Sequence, residues 1–203
     1  MVLGSSAGAV ARPLVGSDGG TQGTPQQLEK HYTLDWALRL GRLLAARGWT
    51  VYLTRTNDVF LSLADRVGFA ERTQAALFLS LHFNSGLPNK ELAGLETYCL
   101  TPAGVPSSLV RNYEDDPRQI YPNNAFDDQN LQFALGLHRA LLQAVGAPDR
   151  GVRRARFMGV LRAQSRPAVL IEAGYLTNPA EARKIATPAY RQTLAEAAAR
   201  WLD

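Results

Sequence analysis

A single cysteine, Cys99, excludes an internal disulfide framework and any thiolate metal cluster. No apolar run approaches the roughly 18 residues of a membrane-spanning helix, so the chain is not expected to cross a bilayer. A basic stretch followed by a sustained apolar one is missing from the start, so no signal peptide is visible. On that ground the chain is either cytoplasmic or lacks the leader of its parent. Strong charge of one sign is missing too: 22 Lys and Arg stand against 18 Asp and Glu, a net +4. The basic residues are nearly all arginine and are scattered along the chain, which suits an anionic polymer or surface and argues against a nucleic-acid partner.

With 203 residues, 46% hydrophobic and 20% charged, the chain is an ordinary globular one, neither disordered nor fibrous. It is expected to form one domain over residues 1–203, with residues 1–25, rich in glycine and serine, as an irregular segment. From Gln27 the apolar residues Leu28, Tyr32, Trp36, Leu40, Leu43 and Leu44 recur at helical spacing, and Gly48 closes the run. The spacing predicts a strand over 49–54, a helix over 63–73 and a nearly all-apolar strand over 75–82. A strand over 94–100, a helix over 131–145, a strand over 167–173 and helices over 179–185 and 188–202 follow. Residues 101–128 read as a long, proline-rich loop, which in a compact domain is usually functional or mobile. Strands alternating with helices predict an α/β fold: a twisted, mostly parallel sheet with helices on both faces.

Two ionisable residues lie inside the apolar strands, His82 in Leu77-Phe-Leu-Ser-Leu-His-Phe-Asn84 and Glu172 in Ala168-Val-Leu-Ile-Glu-Ala-Gly174. A carboxylate removed from water needs a cation, hydrogen bonds or a place at the strand's mouth. Sites of open α/β sheets assemble at those carboxyl ends. Each residue also has a structural alternative, and Glu29 by itself suits a first-turn acid favoured by the helix dipole. Arg55 and Arg66 read equally well as solvated surface charges. His138 reads as a helix-surface residue, and His31, two positions past Glu29, points to another face of its helix.

Taken together, several stretches resemble the zinc-dependent N-acetylmuramoyl-L-alanine amidases of the Amidase_3 type, cell-wall hydrolases of the autolysin kind. Glu29-Lys30-x-x-x-Leu34-x-x-Ala37 is similar to the family's helix start. Val51-x-Leu53-Thr54-Arg55-x-x-Asp58 and Leu63-x-x-Arg66-x-x-x-Ala70 match two further motifs. Ser80-Leu81-His82-x-Asn84, Gly94-x-Glu96-x-Tyr98 and Val160-Leu161-Arg162 resemble three more. The last is Pro167-Ala168-Val169-Leu170-x-Glu172-x-Gly174-Tyr175-Leu176-x-Asn178. The resemblance implies Zn2+ as cofactor, Glu29 and His82 as metal ligands and Glu172 as the catalytic acid-base. It implies hydrolysis of the amide between the muramoyl lactyl group and L-alanine of the stem peptide. Peptidoglycan is then the substrate and the cell envelope the compartment, with a monomeric enzyme and an activator protein among its candidate partners. Arg162 is a candidate for a substrate carboxylate or for a sheet-edge salt bridge, and residues 101–128 for a groove wall or lid.

The family's first zinc ligand, a histidine in a D-x-G-H-G-G turn, has no match here. Gly4-Ser-Ser-Ala-Gly-Ala9 resembles the stretch that follows that histidine, which would place the ligand upstream of Met1. Alternatively Asp18 supplies an oxygen ligand, or the site is impaired and the chain is a non-catalytic peptidoglycan-binding relative. Two protein ligands would hold zinc weakly, since catalytic sites normally use three.

Overall fold

A computed structural model describes residues 1–4, 29–110 and 115–203. Among the described residues six strands form one sheet: β1 (Val2–Gly4), β2 (Thr50–Tyr52), β3 (Leu77–Asn84), β4 (Leu95–Cys99), β5 (Asp149–Arg154) and β6 (Ala168–Tyr175), in the order β2-β1-β3-β6-β4-β5. The helices are α1 (Glu29–Ala45), α2 (Leu63–Thr73), α3 (Asp127–Val145), α4 (Gly159–Arg162), α5 (Pro179–Ala186) and α6 (Pro188–Leu202), with a short 3-10 turn at Pro122–Phe126. Among the described residues no helix is long and apolar enough to cross a membrane.

The α/β architecture agrees with the expectation, and its parallel pairings are the central β3–β6 and the outer β4–β5. The sheet is not parallel throughout: β1 runs antiparallel to both β2 and β3, and β4 antiparallel to β6. Val2–Gly4, expected to be irregular, is a strand between β2 and β3, and the amino group of Met1 before it donates to Leu79 O at 2.8 Å. Burial lowers the pKa of that amine to about 5, with the nearby charges of Arg66 and Arg55 adding to the effect.

Strand side chains alternate between faces. Leu77, Leu79, Leu81 and Phe83 of β3 join Val169, Ile171 and Ala173 of β6 in a core with Trp36, Leu40 and Leu44 of α1, Leu137 and Leu141 of α3, and Leu194 and Ala198 of α6. The opposite face carries Phe78, Ala168, Leu170 and Tyr98 at one end, packed on Phe69 and Ala70 of α2 and Val160 and Leu161 of α4. Beyond these residues, toward the carboxyl ends of β3 and β6, that second face turns polar. Cys99 lies in the first core, and burial pushes its thiol up to about 12, which keeps it inert.

Helix ends follow local chemistry. Ser62 and Asp65 form a reciprocal capping box at the start of α2. Asn178 and Thr187 cap α5 and α6, each followed by proline at the first helical position. Gly136 lies in the middle of α3, where helix propensity alone favours alanine by about 1 kcal/mol. A β-carbon there would stand 2.0 Å from Cζ2 of Trp201, which packs edge-on against Phe133. Gly136→Ala is therefore expected to destabilise the protein by about 1–3 kcal/mol in chemical denaturation, the cost of overpacking. A gain in stability would show instead that Trp201 swings aside freely.

Candidate functional site

The polar end of the second face gathers the ionisable residues. His82 of β3 is the register partner of Glu172 on β6, and Glu172 is in turn the register partner of Glu96 on β4. Three adjacent strands thus carry an imidazole and two carboxylates side by side. Alternation puts them on one face, together with Ser80 and Asn84. Glu172 is half-buried, as is His82, whereas Glu96 is buried.

Glu29 reaches this row from α1. It is the first residue of the helix and buried, and its Oε1 lies 2.7 Å from Nδ1 of His82 while accepting from the Phe83 N–H at 3.2 Å. The other ring nitrogen, Nε2, lies 3.0 Å from Ser80 Oγ. The residues around Glu29 fix where α1 begins. Arg55 donates to Lys30 O and to Thr33 Oγ1, and Lys30 pairs with Asp58 at 2.5 Å. Two of the sequence motifs, one on α1 and one after β2, are thereby clamped to each other. Arg55, read as a candidate surface charge, is part of that clamp.

On the other side of Glu172 lies a hydrogen-bonded network. Glu96 Oε1 accepts from Asn84 Nδ2 at 2.8 Å and from the Tyr175 hydroxyl at 2.7 Å. Burial, with Glu96 next in importance, raises the Tyr175 pKa, so this phenol stays a donor. Gly174 has φ +124°, a conformation L side chains rarely adopt, which turns the chain at the mouth of β6. Glu181 closes that turn by accepting from Tyr175 N–H at 2.7 Å and Gly94 N–H at 2.9 Å. Glu96 meets the same criterion that singled out His82 and Glu172, an acid inside a strand. Its strand, Leu95–Cys99, is short and mixes polar with apolar residues, which hid it.

Glu29 and His82 are the right kinds of donor for zinc, which takes carboxylate oxygen and imidazole nitrogen. They converge on one another, and a cation held by both would replace the proton between them. Among the described residues no third histidine, cysteine or carboxylate completes a metal-holding group. Asp18, and the Ser5–Ala9 part of the stretch likened to the missing motif, lie outside the described residues. His31 is exposed.

His138 is not a surface residue as expected: it is buried and bridges α3 to the sheet, with Thr97 Oγ1 3.1 Å from Nδ1 and Asp149 Oδ1 2.9 Å from Nε2. Periodicity places it on the flank of the apolar stripe, and the polar Thr97 opposite is what makes burial tolerable. The segment from Thr101 is held by Arg156, whose buried guanidinium donates to Pro102 O at 2.9 Å, Val105 O at 2.6 Å and Asp115 Oδ1 at 2.8 Å. Helix α3 starts at Asp127, four residues before Leu131, its acids stabilised at a helix N-terminus. Arg162 stacks over the ring of Tyr121, 5.2 Å from its centroid, and makes a long contact with Arg156 O at 3.5 Å.

Known proteins match this architecture and sequence over most of their shared length. Residues 15–203 match the Amidase_3 family, N-acetylmuramoyl-L-alanine amidase. The chain is 31% identical to the N-acetylmuramoyl-L-alanine amidase AmiA of Salmonella typhimurium, over 91% of this chain and 70% of the relative. It is 33% identical to the sporulation-specific N-acetylmuramoyl-L-alanine amidase of Bacillus subtilis, over 93% of this chain and 63% of the relative. The crystal structure of N-acetylmuramoyl-L-alanine amidase from Clostridium difficile 630 superposes with a TM-score of 0.74 at 28% identity, covering 93% of this chain and 90% of that one. AmiC2 of Nostoc punctiforme gives 0.73 at 30% identity, again over 93% and 90%. The shared class is that of the α/β cell-wall amidases. The chain belongs to the Amidase_3 family.

The His138–Asp149 pair has a pH signature. The hydrogen bond from His138, and then that from Gly151 N–H, hold the Asp149 carboxyl below its ordinary 3.8. A depressed carboxylate contributes stability that is complete above about pH 4 and is lost as pH falls through the folded value. Asp149→Asn is thus expected to flatten the acid limb of stability against pH. Because the side chain is exposed, the cost at neutral pH stays below about 1 kcal/mol. Denaturant melts between neutral pH and pH 3 check both.

Proposed function

We propose that this chain is a zinc-dependent amidase that hydrolyses the bond between the N-acetylmuramoyl lactyl group and L-alanine of the peptidoglycan stem peptide. The observation that supports it most is the pairing of His82 with Glu172 in register on adjacent strands, with Glu29 docked against the imidazole. Glu29 and His82 would hold the zinc. When bound, zinc polarises the scissile carbonyl and lowers the pKa of a water ligand. Glu172, beside them on β6, is the general base: its carboxylate takes a proton from the attacking water and delivers it to the departing amine of L-alanine. Asn84 and Tyr175, by fixing Glu96, keep the strand next to Glu172 in place.

Residues 1–203 act in this reading as one catalytic domain, working as a monomer on peptidoglycan in the cell envelope, with a protein activator as the further partner it admits. The segment 101–128, of which residues 111–114 lie outside the described residues and Pro102, Val105 and Asp115 are tethered through Arg156, would form a wall or lid over the substrate. The two-donor set among the described residues favours one alternative, a peptidoglycan-binding relative without activity.

Zinc content and stem-peptide release from purified peptidoglycan decide between them. The amidase reading expects about one zinc per chain and release of L-alanine-terminated peptide that a chelator stops and added zinc restores. Glu172→Ala should keep the zinc and lose about 100- to 10,000-fold in rate. His82→Ala should lose both. Retained binding to peptidoglycan with no zinc and no release would establish the alternative.

A further inference from the structure

Arg150 and Arg153 stand three positions apart on β5, and in a regular strand such residues project to opposite faces. The strand is not regular there. The step from Leu95 to Thr97 on β4 is matched by the longer step from Asp149 to Val152 on β5, a bulge of one residue. Gly151 sits in it at φ +83°, where a β-carbon would meet nothing within 4 Å, so the backbone conformation and not the space selects glycine. The bulge brings both arginines to the face that carries Glu172. Arg150 Nε lies 3.7 Å from Glu96 Oε1 and Arg153 Nε 3.6 Å from Glu96 Oε2.

These contacts are too long for hydrogen bonds. Glu96 Oε1 is already engaged by Asn84 and Tyr175, and the buried Nε–H of each arginine has no hydrogen-bond partner among the described residues. Glu96 therefore holds the guanidiniums by charge, and Arg150 is further oriented by stacking over Tyr175, 5.1 Å from the ring centroid. Arg153 also acts by charge on Asp149, and Glu172 is the register partner of Glu96, so the arginines sit among carboxylates that hold them in place. The two side chains are 27% and 35% exposed, so they are open to a ligand. Planar forked donors that are open to solvent match a carboxylate in bidentate geometry.

The pair lies on β5, two strands from Glu172, or about 10 Å at the usual inter-strand spacing. An extended peptide covers that distance in about three residues. We propose that Arg150 and Arg153 form a subsite for a carboxylate of the stem peptide, roughly two to three residues beyond the scissile amide. The assignment rests on the amidase reading above, because that reading places the scissile bond at Glu172. The subsite sets preference among stem peptides: a free acid is held and its amidated form is not.

Two synthetic N-acetylmuramoyl-L-alanyl peptides test this, one with free carboxylates and one with them amidated. Calorimetry on the Glu172→Gln protein measures binding without turnover. The free acid is expected to bind about 10- to 100-fold more tightly than the amide, and R150Q/R153Q to reduce the acid to the level of the amide while leaving the amide unchanged. R150K/R153K, which keeps the charge but not the fork, should recover part of the difference. R150Q/R153Q leaves Glu96 buried without its counter-charges. E96Q/R150Q/R153Q removes that liability, with thermal melting to confirm folding, and should show the same lost discrimination. Equal binding of acid and amide by the parent, equal loss on both peptides in the variants, or no binding of either overturns the subsite. Hydrolysis is read separately. A protein that discriminates through the arginines yet cleaves neither peptide refutes the amidase reading alone. One that cleaves both with equal KM refutes the subsite alone.

Discussion

The parallel pairing of β3 with β6 is the constraint on which the site depends, and apolar residues enforce it. Leu77, Leu79, Leu81 and Phe83 must face α1, α3 and α6, as must Val169, Ile171 and Ala173. Because side chains alternate with a period of two, a slip of one residue would drive His82 and Glu172 into that core and expose the leucines. The alignment of imidazole and carboxylate therefore follows from packing on the opposite face of the sheet, with no contact between the two groups required to maintain it. Glu29 is then brought in by α1, whose own seat on the same core fixes the height at which its first turn arrives.

How much of this was legible depended on contrast. His82 and Glu172 stand out because each interrupts a run of apolar residues, and strands β2, β3, β4 and β6, helix α2 and the C-terminal helices are readable from period and caps. Glu96 sits among polar neighbours and offered no such contrast. Strand β5, Asp149-Arg-Gly-Val-Arg-Arg154, looks like loop in sequence because of its charges and glycine. It is strand only because β4 supplies the hydrogen-bonding partner, which is tertiary information. His138 resembles a surface residue for the same reason: its burial depends on Thr97 and Asp149, distant in sequence. The glycine and serine content of the first residues points to loop, while Val2 and Leu3 find a place between β2 and β3.

The motifs that carried the family resemblance divide into residues placed to react and residues that hold them. Glu29, His82 and Glu172 converge on one spot. Lys30, Arg55 and Asp58 tie the start of α1 to the chain after β2, and Asn178 caps α5 beneath the mouth of β6. Glu181 is bound to the backbone on both sides of the Gly174 turn. Sequence patterns record both kinds alike, since a displaced support moves a reacting group as surely as its own substitution would.

The bulge at Gly151 has a consequence outside chemistry. β5 is an outer strand of the sheet, with one row of backbone N–H and C=O groups facing away from β4. A long flat edge of that kind invites pairing with a neighbouring molecule. Here the irregular step breaks the repeat of donors and acceptors, and Arg150, Arg153 and Arg154 surround it with like charge. The other border, β2, is only three residues long. Among the described residues both margins of the sheet are thus poor templates for another strand.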